Sequence, residues 1–340
     1  MVDLEKYRHQ EVKIGILRAL YLGDLLCAVP ALRAVRAFFP NAQISWIGLP
    51  WSNEFATRFS MYIDRHIDFP GYPGLPEVHP DIQRIPEFLK QIQQEKFDLV
   101  LQMHGSGMYV NSITALFGAR QSAGFYLPGM YCPDPDAYIP YPDDQPEVIR
   151  HLQLIEYLGI PTVGSYLEFP IFPQDIEKIA AVQEEYHLAN GAYVCVHPGS
   201  RAKERRWPVD QFAEVGKYLG QMNYPIVITG TPTEKNLADE LAAKIDGKTV
   251  NLCGSTDLGG LAAVLTGARL LVCNDTGVSH VADALGTPSV VIFSDSDPNR
   301  WAPLDRELHR VVHKPGGPRT NQVIDEINIA LQKERYDAVR

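Results

Sequence analysis

Apolar runs with the length of β-strands alternate with helix-like segments through most of this chain, and this alternation limits its possible folds more than any other feature. The pattern predicts strands at residues 12–17, 44–48, 97–102, 193–197, 226–229, 249–252, 269–273 and 289–293. It predicts helices at residues 25–39, 53–59, 82–94, 147–158, 209–219, 234–244 and 258–265. Strands and helices that alternate in this way form parallel sheets covered by helices. We therefore expect an α/β protein built from two Rossmann-like halves.

The length of the chain predicts more than one domain. Its 340 residues fit two domains of about 150 residues each better than a single hydrophobic core. Residues 126–146 are rich in Pro, Tyr and Asp and are predicted to form a long loop. Residues 160–173, with three prolines and few helix formers, are predicted to contain the boundary. The predicted domains are 1–165 and 166–320, and an amphipathic helical segment at 321–340 is expected to pack back on the first domain.

Composition and charge disfavour several classes of protein. The formal net charge of −10 argues against broad nucleic-acid binding, which requires a basic surface. No transmembrane helix is predicted, because no apolar stretch reaches about 18 residues without a charge. The five cysteines lack metal-ligand spacing and the histidines form no HExxH motif, so no metal site is predicted. These features together predict a globular, cytoplasmic protein with reduced cysteines.

One strand-to-helix turn in the second half has the composition of a phosphate site. The apolar run 270–273 is followed by Asn-Asp-Thr-Gly-Val-Ser-His at 274–280 and then by a small-residue helical stretch at 281–285. Unpaired N–H groups at a helix start favour an anion, and ligands of open α/β sheets bind at the carboxyl ends of strands. We predict that this turn faces a phosphate. The alternative is that Asp275 or Thr276 serves only as a helix cap.

Two further strand ends in the second half carry polar groups suited to a nucleotide. His-Pro-Gly-Ser at 197–200 is followed by four basic residues within 201–206, which suit a diphosphate; a solvated basic loop is the alternative. Gly-Thr-Pro-Thr-Glu at 230–234 places Glu234 where a carboxylate can accept both hydroxyls of a ribose. The alternative is an acidic residue favoured by the dipole of a first helical turn. Neither GxGxxG nor GxxxxGK[ST] occurs, so hydride transfer and P-loop chemistry are not predicted.

In the first half, polar residues follow two different strands. Asp24 comes just after the opening strand, where a carboxylate is a candidate general base across a cleft; a helix N-cap is the alternative. His-Gly-Ser-Gly at 104–107 follows another strand and either lines the same cleft or forms a tight turn. Asp-Ser-Asp at 295–297 resembles the acidic pair that holds a metal in another transferase architecture, but it precedes a proline and is predicted to be a turn.

Five short segments of the chain together resemble the motifs of glycosyltransferase family 9. This family comprises the heptosyltransferase-like enzymes of bacteria, which include the ADP-heptose:lipopolysaccharide heptosyltransferases. The segments are 22–24, 197–200, 205–208, 230–234 and 274–280. The resemblance implies a GT-B type fold, in which two Rossmann-like domains with parallel sheets face each other across an interdomain cleft. It also implies that the C-terminal domain binds the nucleotide-sugar donor and that the N-terminal domain binds the acceptor.

The reaction that this resemblance implies is an inverting, metal-independent transfer of a heptose or related sugar from a nucleotide-diphosphate donor. The donor is expected to be an ADP-sugar, used as a co-substrate with no cofactor. The acceptor is expected to be a lipid-linked saccharide of the lipopolysaccharide core or another cell-envelope glycan, reached by peripheral association with the cytoplasmic face of the inner membrane. Two alternatives stay open: a nucleotide-sugar epimerase of the same architecture and a non-catalytic nucleotide-sugar-binding protein.

The resemblance also implies roles for single residues. Asp24 matches the general base, Glu234 the carboxylate that holds the donor ribose, and Asp275 the residue that contacts sugar hydroxyls. Arg205 replaces the usual lysine as the cation that neutralises the departing diphosphate, and Arg201 stands where well-known members carry a hydroxyl residue. The predicted donor-binding set is His197, Gly199, Ser200, Arg201, Arg205, Thr231, Glu234, Asp275, Thr276, Gly277 and His280, and the predicted acceptor-binding set is Gly23, His104 and Ser106.

Overall fold

The computed structural model describes residues 4–332. The chain divides into two compact units between Tyr166 and Leu167, next to the boundary predicted after residue 165. Each unit contains one six-stranded sheet in which every pairing is parallel. The α/β class and the two Rossmann-like halves predicted from the sequence are therefore confirmed. Within the described part of the chain, no helix is long and apolar enough to cross a lipid bilayer.

The first unit has the strand order β3-β2-β1-β4-β5-β6. Its strands are β1 (Lys13–Leu17), β2 (Gln43–Gly48), β3 (Arg65–Asp68), β4 (Leu99–Gln102), β5 (Gln121–Tyr126) and β6 (Tyr138–Pro140). Its helices are α1 (Leu22–Phe38), α2 (Ser52–Arg58), α3 (Ile85–Glu95), α4 (Val110–Ala115) and α5 (Glu147–Tyr157). Strand β6 lies within the segment 126–146, which was predicted to be a loop.

The second unit has the strand order β12-β11-β10-β7-β8-β9. Its strands are β7 (Val194–His197), β8 (Ile226–Ile228), β9 (Thr249–Asn251), β10 (Leu270–Asn274), β11 (Ser289–Phe293) and β12 (His309–His313). Its helices are α6 (Pro173–Tyr186), α7 (Val209–Gln221), α8 (Lys235–Lys244), α9 (Leu258–Gly267), α10 (Gly277–Ala284), α11 (Pro298–Trp301) and α12 (Thr320–Gln332).

The central strands are apolar because helices cover the sheets. All residues of β10 and β11 are buried, and only the first residue of β1 is exposed. Strands buried on both faces read as continuous apolar runs, which is why the sequence reveals them. The outer strands β3, β5, β6 and β12 have partly exposed, mixed sequences, and no apolar run reveals these four.

Both sheets have the same topology. Counted from the first strand of each unit, the order is 3-2-1-4-5-6, which is the classical dinucleotide-binding order. The order reverses between β1 and β4 in the first unit and between β7 and β10 in the second. Ligands of such sheets bind outside the carboxyl ends of the strands at this reversal. The fold therefore identifies one candidate ligand edge in each unit.

Helices α1 and α10 begin earlier than the sequence predicted. Residues 22–24 were predicted to be a turn but form the first turn of α1. Residues 277–280 were predicted to belong to the turn after β10 but form the first turn of α10. Both segments contain a glycine and polar residues, which favour turns, and packing on the sheet overrides this preference. Asp24 therefore lies in a first helical turn, and α10 begins directly after Thr276.

The C-terminal helix α12 packs within the second unit. The sequence-based expectation placed the segment 321–340 against the first domain. In the structure, Val323, Ile327 and Ala330 are buried in the second unit's own hydrophobic core, and α12 contacts α7, β11 and β12. The expected packing on the first domain stays a prediction. The described part of this segment thus completes the core of the second unit, and residues 333–340 lie outside the described part of the chain.

Candidate functional site

The predicted donor residues of the second unit follow strands that are neighbours in the sheet. The motif at 197–201 follows β7, the motif at 230–234 follows β8, and the motif at 275–280 follows β10. These three strands lie side by side in the order β10-β7-β8. Their carboxyl ends therefore share one edge, which includes the point where the strand order reverses.

Asn274, the last residue of β10, holds the loop after β7 in place. Its side chain is fully buried. The amide Nδ2 donates to the backbone oxygen of Pro198 at 2.8 Å, and Oδ1 accepts from the backbone N–H of Trp207 at 2.9 Å. From the sequence, Asn274 was predicted only as the start of a turn. Its role depends on two residues that lie more than sixty positions away, so no local pattern reveals it.

Asp275 and Arg205 form an ion pair at the start of α10. Nη1 of Arg205 lies 3.2 Å from Oδ2 of Asp275, whose side chain is only 3% exposed, whereas that of Arg205 is 35% exposed. The hydroxyl of Ser296 also donates to Asp275 Oδ2, at 2.5 Å. Because its carboxylate is engaged in this way, Asp275 does not cap the helix. Residues 295–297 were predicted only as a turn, so the contact of Ser296 with Asp275 was not predicted from the sequence.

The N-terminus of α10 provides an anion-binding feature beside this ion pair. Thr276 is the N-cap residue, but its side chain makes no capping hydrogen bond. The first N–H groups of a helix, here beginning with Gly277, have no acceptor inside the helix and carry the positive end of its dipole. His280 is buried in the same first turn. The Thr276 side chain therefore does not serve as the simple cap of the alternative interpretation, and the phosphate-facing turn stays a prediction.

Glu234 closes the turn after β8. Its Oε2 accepts hydrogen bonds from both the backbone N–H and the hydroxyl of Thr231, each at 2.8 Å. This is the helix-start role that the sequence left open as an alternative. The carboxylate also lies so close to Gly199 that a Cβ at that position would overlap it. A glycine at 199 is therefore needed for Glu234 to reach the end of β7.

His197, the last residue of β7, is buried, and its Nδ1 lies 3.0 Å from the hydroxyl of Thr229. Burial lowers the pKa of this imidazole, and the nearby carboxylate of Glu234 opposes part of the shift. The ring is therefore expected to be neutral at pH 7. A neutral imidazole can act as a hydrogen-bonding group but adds no charge for a phosphate.

The basic residues after β7 do not all converge, contrary to the sequence-based expectation. Arg206 donates through Nε to the backbone oxygen of Ser200 at 2.7 Å and thereby closes the loop. Arg201 and Lys203 are exposed. Of the four, the structure places Arg205 beside Asp275. The cation predicted to meet the diphosphate is thus held in place by a buried carboxylate, and the others have different surroundings.

In the first unit, Asp24 lies at the carboxyl edge of β1, next to the start of α1. Its Oδ2 accepts a long hydrogen bond of 3.4 Å from the backbone N–H of Tyr21, and Oδ1 lies 4.0 Å from Nη2 of Arg18. The side chain of Asp24 is 23% exposed, whereas that of Arg18 is completely buried. Gly23, a predicted acceptor residue, is buried in the same helical turn. The carboxylate therefore supports the helix start and still reaches solvent.

His104 belongs to the same edge, because β4 is the neighbour of β1. Its Nδ1 accepts a hydrogen bond from the backbone N–H of Ala19 at 3.1 Å, so the proton of the neutral ring lies on Nε2. Gly105 and Gly107 have φ angles of 59° and 81°, a region that favours glycine. The segment is thus a tight turn, as one of the two interpretations held, and it carries the half-buried Ser106 on the edge next to Asp24.

Metal-ligating residues do not cluster in the described part of the chain: residues 4–332 contain no group of three or more His, Cys, Asp or Glu side chains arranged to hold a metal ion. Within residues 4–332 the cysteines form no disulfide; Cys27, Cys195, Cys253 and Cys273 are buried, and Cys132 is partly buried. Burial raises the pKa of the Cys195 and Cys273 thiols. These cysteines therefore behave as small apolar residues, as the sequence predicted.

Ser296→Ala is expected to weaken donor binding. The change removes the hydroxyl that donates to the buried Asp275 carboxylate, and one such hydrogen bond is worth about 1 kcal/mol, which corresponds to a roughly fivefold rise in the donor dissociation constant. Calorimetric titration with the donor measures the effect. Ser294→Ala is the matched control, because Ser294 is also buried and its hydroxyl has no partner in the described residues. Equal effects of the two changes would contradict a specific role for Ser296.

Comparison with known proteins agrees with this geometry. The family model described as glycosyltransferase family 9 (heptosyltransferase) matches residues 85–325. The lipopolysaccharide heptosyltransferase 1 of Escherichia coli K12 is 29% identical over 317 residues, covering 84% of this chain and 89% of that protein. The lipopolysaccharide core heptosyltransferase OpsX of Haemophilus influenzae is 23% identical over 312 residues, covering 85% and 81%.

Solved structures show the same fold. The glycosyl transferase family 9 structure from Veillonella parvula has a TM-score of 0.78 at 20% identity and covers 95% of this chain and 98% of that one. The E. coli heptosyltransferase WaaC with ADP has a TM-score of 0.64 at 20% identity and covers 94% and 100%. These structures support the GT-B fold predicted from the motifs. Since the family model spans well over half of its length, this chain belongs to glycosyltransferase family 9, the heptosyltransferase family, and is a glycosyltransferase.

Proposed function

We propose that this protein transfers a heptose or related sugar, with inversion, from an ADP-sugar to a saccharide of the lipopolysaccharide core or a similar cell-envelope glycan. The observation that carries this proposal is the ion pair of Arg205 with the buried Asp275 at the N-terminus of α10. It places a fixed cation beside the positive end of a helix dipole. Such a site stabilises the charge that develops on a departing diphosphate.

The proposed donor site uses the edge formed by β10, β7 and β8. Arg205, the hydroxyl of Thr276 and the N–H groups that begin with Gly277 bind the diphosphate. Asp275 binds hydroxyls of the transferred sugar, and Glu234 binds the ribose, together with the remaining predicted donor residues. Because the carboxylates of Asp275 and Glu234 are already held by hydrogen bonds from protein groups, they require little reorganisation when the donor binds.

The proposed acceptor site uses the edge formed by β1 and β4. Asp24 acts as general base and takes the proton of the acceptor hydroxyl as that oxygen attacks the anomeric carbon, on the face opposite the leaving diphosphate. Gly23, His104 and Ser106 lie beside it and contact the acceptor. Attack from the opposite face inverts the anomeric configuration.

We further propose that transfer needs no metal ion, because Arg205 and the helix N-terminus supply the positive charge that a divalent cation supplies in other glycosyltransferases. Activity is expected to persist after dialysis against EDTA and in its presence. Activity that disappears in EDTA and returns with a divalent cation would contradict this part of the proposal.

The identity of the donor is tested by thermal unfolding with ADP-, GDP-, UDP- and dTDP-sugars. A ligand present at about 100 times its dissociation constant stabilises the native state by about 2.7 kcal/mol, which corresponds to a rise in Tm of about 5 °C or more for a domain of this size. An ADP-sugar is expected to give the largest rise. A larger rise with another nucleotide would contradict the proposed donor.

The same preparation distinguishes transfer from the alternative of an epimerase. An epimerase would convert the donor into an isomer without any acceptor, whereas the proposed enzyme leaves the sugar unchanged until an acceptor is added. Proton NMR of the donor after incubation with the protein alone measures this.

The proposed place of action, peripheral at the cytoplasmic face of the inner membrane, follows from the lipid-linked acceptor.

A further inference from the structure

A cluster of buried charged side chains lies behind the start of α1 in the first unit. Arg18, Glu147, Arg150 and His151 are each at most 2% exposed. Burying charges costs free energy unless they are paired and hydrogen-bonded. None of these four side chains takes part in the reaction proposed above. Their contacts nevertheless indicate a role.

Arg18 is the member of this cluster that reaches Asp24. Its Nε donates to the backbone oxygen of Asp24 at 2.8 Å, and its Nη2 lies 4.0 Å from Oδ1 of the same residue. Nη1 donates to the backbone oxygen of Met103, just after β4, and Nη2 to Oε1 of Glu147 at 3.2 Å. A single guanidinium therefore joins the first turn of α1, the end of β4 and the start of α5.

Arg150 resembles Arg18 in its burial and in its bond to Glu147, but its other partners differ. Its Nη1 donates to the other carboxylate oxygen of Glu147, Oε2, at 3.0 Å. Its remaining bonds go to the hydroxyl of Tyr141 and the backbone oxygen of Asp143, both at 2.7 Å. Glu147 is thus held between two buried arginines, and the hydrogen bonds of Arg150 go to Tyr141, Asp143 and Glu147 rather than to Asp24.

His151 adds no charge to the cluster at neutral pH. Burial, reinforced by the neighbouring Arg18 cation, lowers the pKa of His151 to about 4 although Glu147 opposes the shift. With His151 neutral, the two arginines balance the carboxylates of Glu147 and Asp24. The guanidinium of Arg18 next to Asp24 is buried in the protein, whereas the carboxylate of Asp24 is partly exposed to solvent.

We propose that Arg18 is a positioning residue that fixes the carboxylate of Asp24 for proton transfer; the inference rests on the proposed role of Asp24 as general base. The guanidinium fork holds the backbone of Asp24 directly and places a cation next to its carboxylate. A displacement of about 1 Å in a catalytic group lowers a rate by about 100-fold. Glu147 binds Arg18 through Oε1, whereas Arg150 binds the other oxygen, Oε2.

The test compares Arg18→Met with Arg150→Met, since the two arginines are equally buried and bind the same carboxylate. Both variants are expected to unfold at a lower temperature, because each leaves Glu147 with one arginine instead of two. Arg18→Met is expected to lower kcat by about 100-fold, with the KM for the donor changed by less than about threefold. Arg150→Met is expected to keep kcat within about threefold of the wild type when assayed below its Tm.

Two further variants separate positioning from a general loss of structure. Arg18→Lys keeps the positive charge and is expected to recover about tenfold of the kcat lost in Arg18→Met, because an ammonium can replace part of the fork. The double variant Asp24→Asn with Arg18→Met is expected to be no slower than Asp24→Asn alone, since residues that act as one unit are not additive.

Three results would overturn the inference: wild-type kcat in Arg18→Met, the same loss of kcat in Arg150→Met, or a further additive loss in the double variant. If Arg18→Met does not fold, Arg18→Lys compared with Arg150→Lys decides, and equal kcat values overturn the inference. Asp24→Asn alone separates the two proposals. Full activity in that variant refutes the proposed general base, whereas a low kcat there combined with a normal kcat in Arg18→Met refutes only the role of Arg18.

Discussion

Asp24→Asn is expected to lower kcat for sugar transfer by about 100- to 10,000-fold, the range usually lost when a general base is removed. Asparagine has the size of aspartate and can still accept the hydrogen bond from the backbone N–H of Tyr21, so α1 keeps its start. It cannot accept a proton at neutral pH. Donor binding, assigned to the second unit, is expected to be unchanged within about twofold in calorimetric titration.

The matched control for this variant is Asp81→Asn. Asp81 is an exposed carboxylate before α3 that also accepts a backbone hydrogen bond, from Arg84 at 3.4 Å, and it has no proposed part in catalysis. Its variant is expected to retain the wild-type kcat. If Asp24→Asn also retains it, Asp24 has no part in the chemistry, and another group must take the acceptor proton.

Arg205→Gln is expected to lower kcat by about 100- to 1,000-fold, comparable to the loss of a single group that stabilises transition-state charge. The change removes the cation proposed to meet the diphosphate and leaves the buried Asp275 with Ser296 as its remaining recorded side-chain donor. Arg205→Lys, which restores the residue usual in the family, is expected to keep most of the activity. Steady-state kinetics with the donor at saturation measures these effects.

Lys203→Gln is the control for the loss of a positive charge in the same short turn. Lys203 is exposed, so its charge is screened by solvent and salt, and its variant is expected to have nearly normal kinetics. Equal losses in Lys203→Gln and Arg205→Gln would mean that overall positive charge in this loop matters. The specific pairing of Arg205 with Asp275 would then not explain catalysis.

The sequence predicts the two-halved α/β fold well because the central strands are continuous apolar runs. It also predicts which strand ends carry the proposed sites, since the polar motifs come directly after these runs. Strands β3, β5, β6 and β12 were not predicted because their sequences mix polar and apolar residues; β3, for example, has the sequence Arg-His-Ile-Asp. The starts of α1 at residue 22 and of α10 at residue 277 were not predicted, because tertiary packing outweighs the local preference of glycine and polar residues for turns.

Residues that act through distant partners are the hardest to predict. Ser296 binds Asp275 across 21 positions, and Arg18 binds Glu147 across 129 positions. No spacing or periodicity connects such pairs, because the topology of the sheet brings them together. The sequence therefore identifies Asp24, Arg205 and Asp275 as candidates, and the structure adds the groups that hold them.

We propose that Asp24 of the first unit acts on the same sugar as Arg205 and the N-terminus of α10 in the second unit. A crystal structure of the protein with the acceptor and a slow, fluorinated analogue of the donor tests it most directly. We expect the Asp24 carboxylate to lie within about 3 Å of an acceptor hydroxyl, with the diphosphate bound by Arg205 and the N-terminus of α10 on the opposite face of the sugar. A bound acceptor with no hydroxyl within reach of Asp24, or a diphosphate away from Arg205, would contradict it.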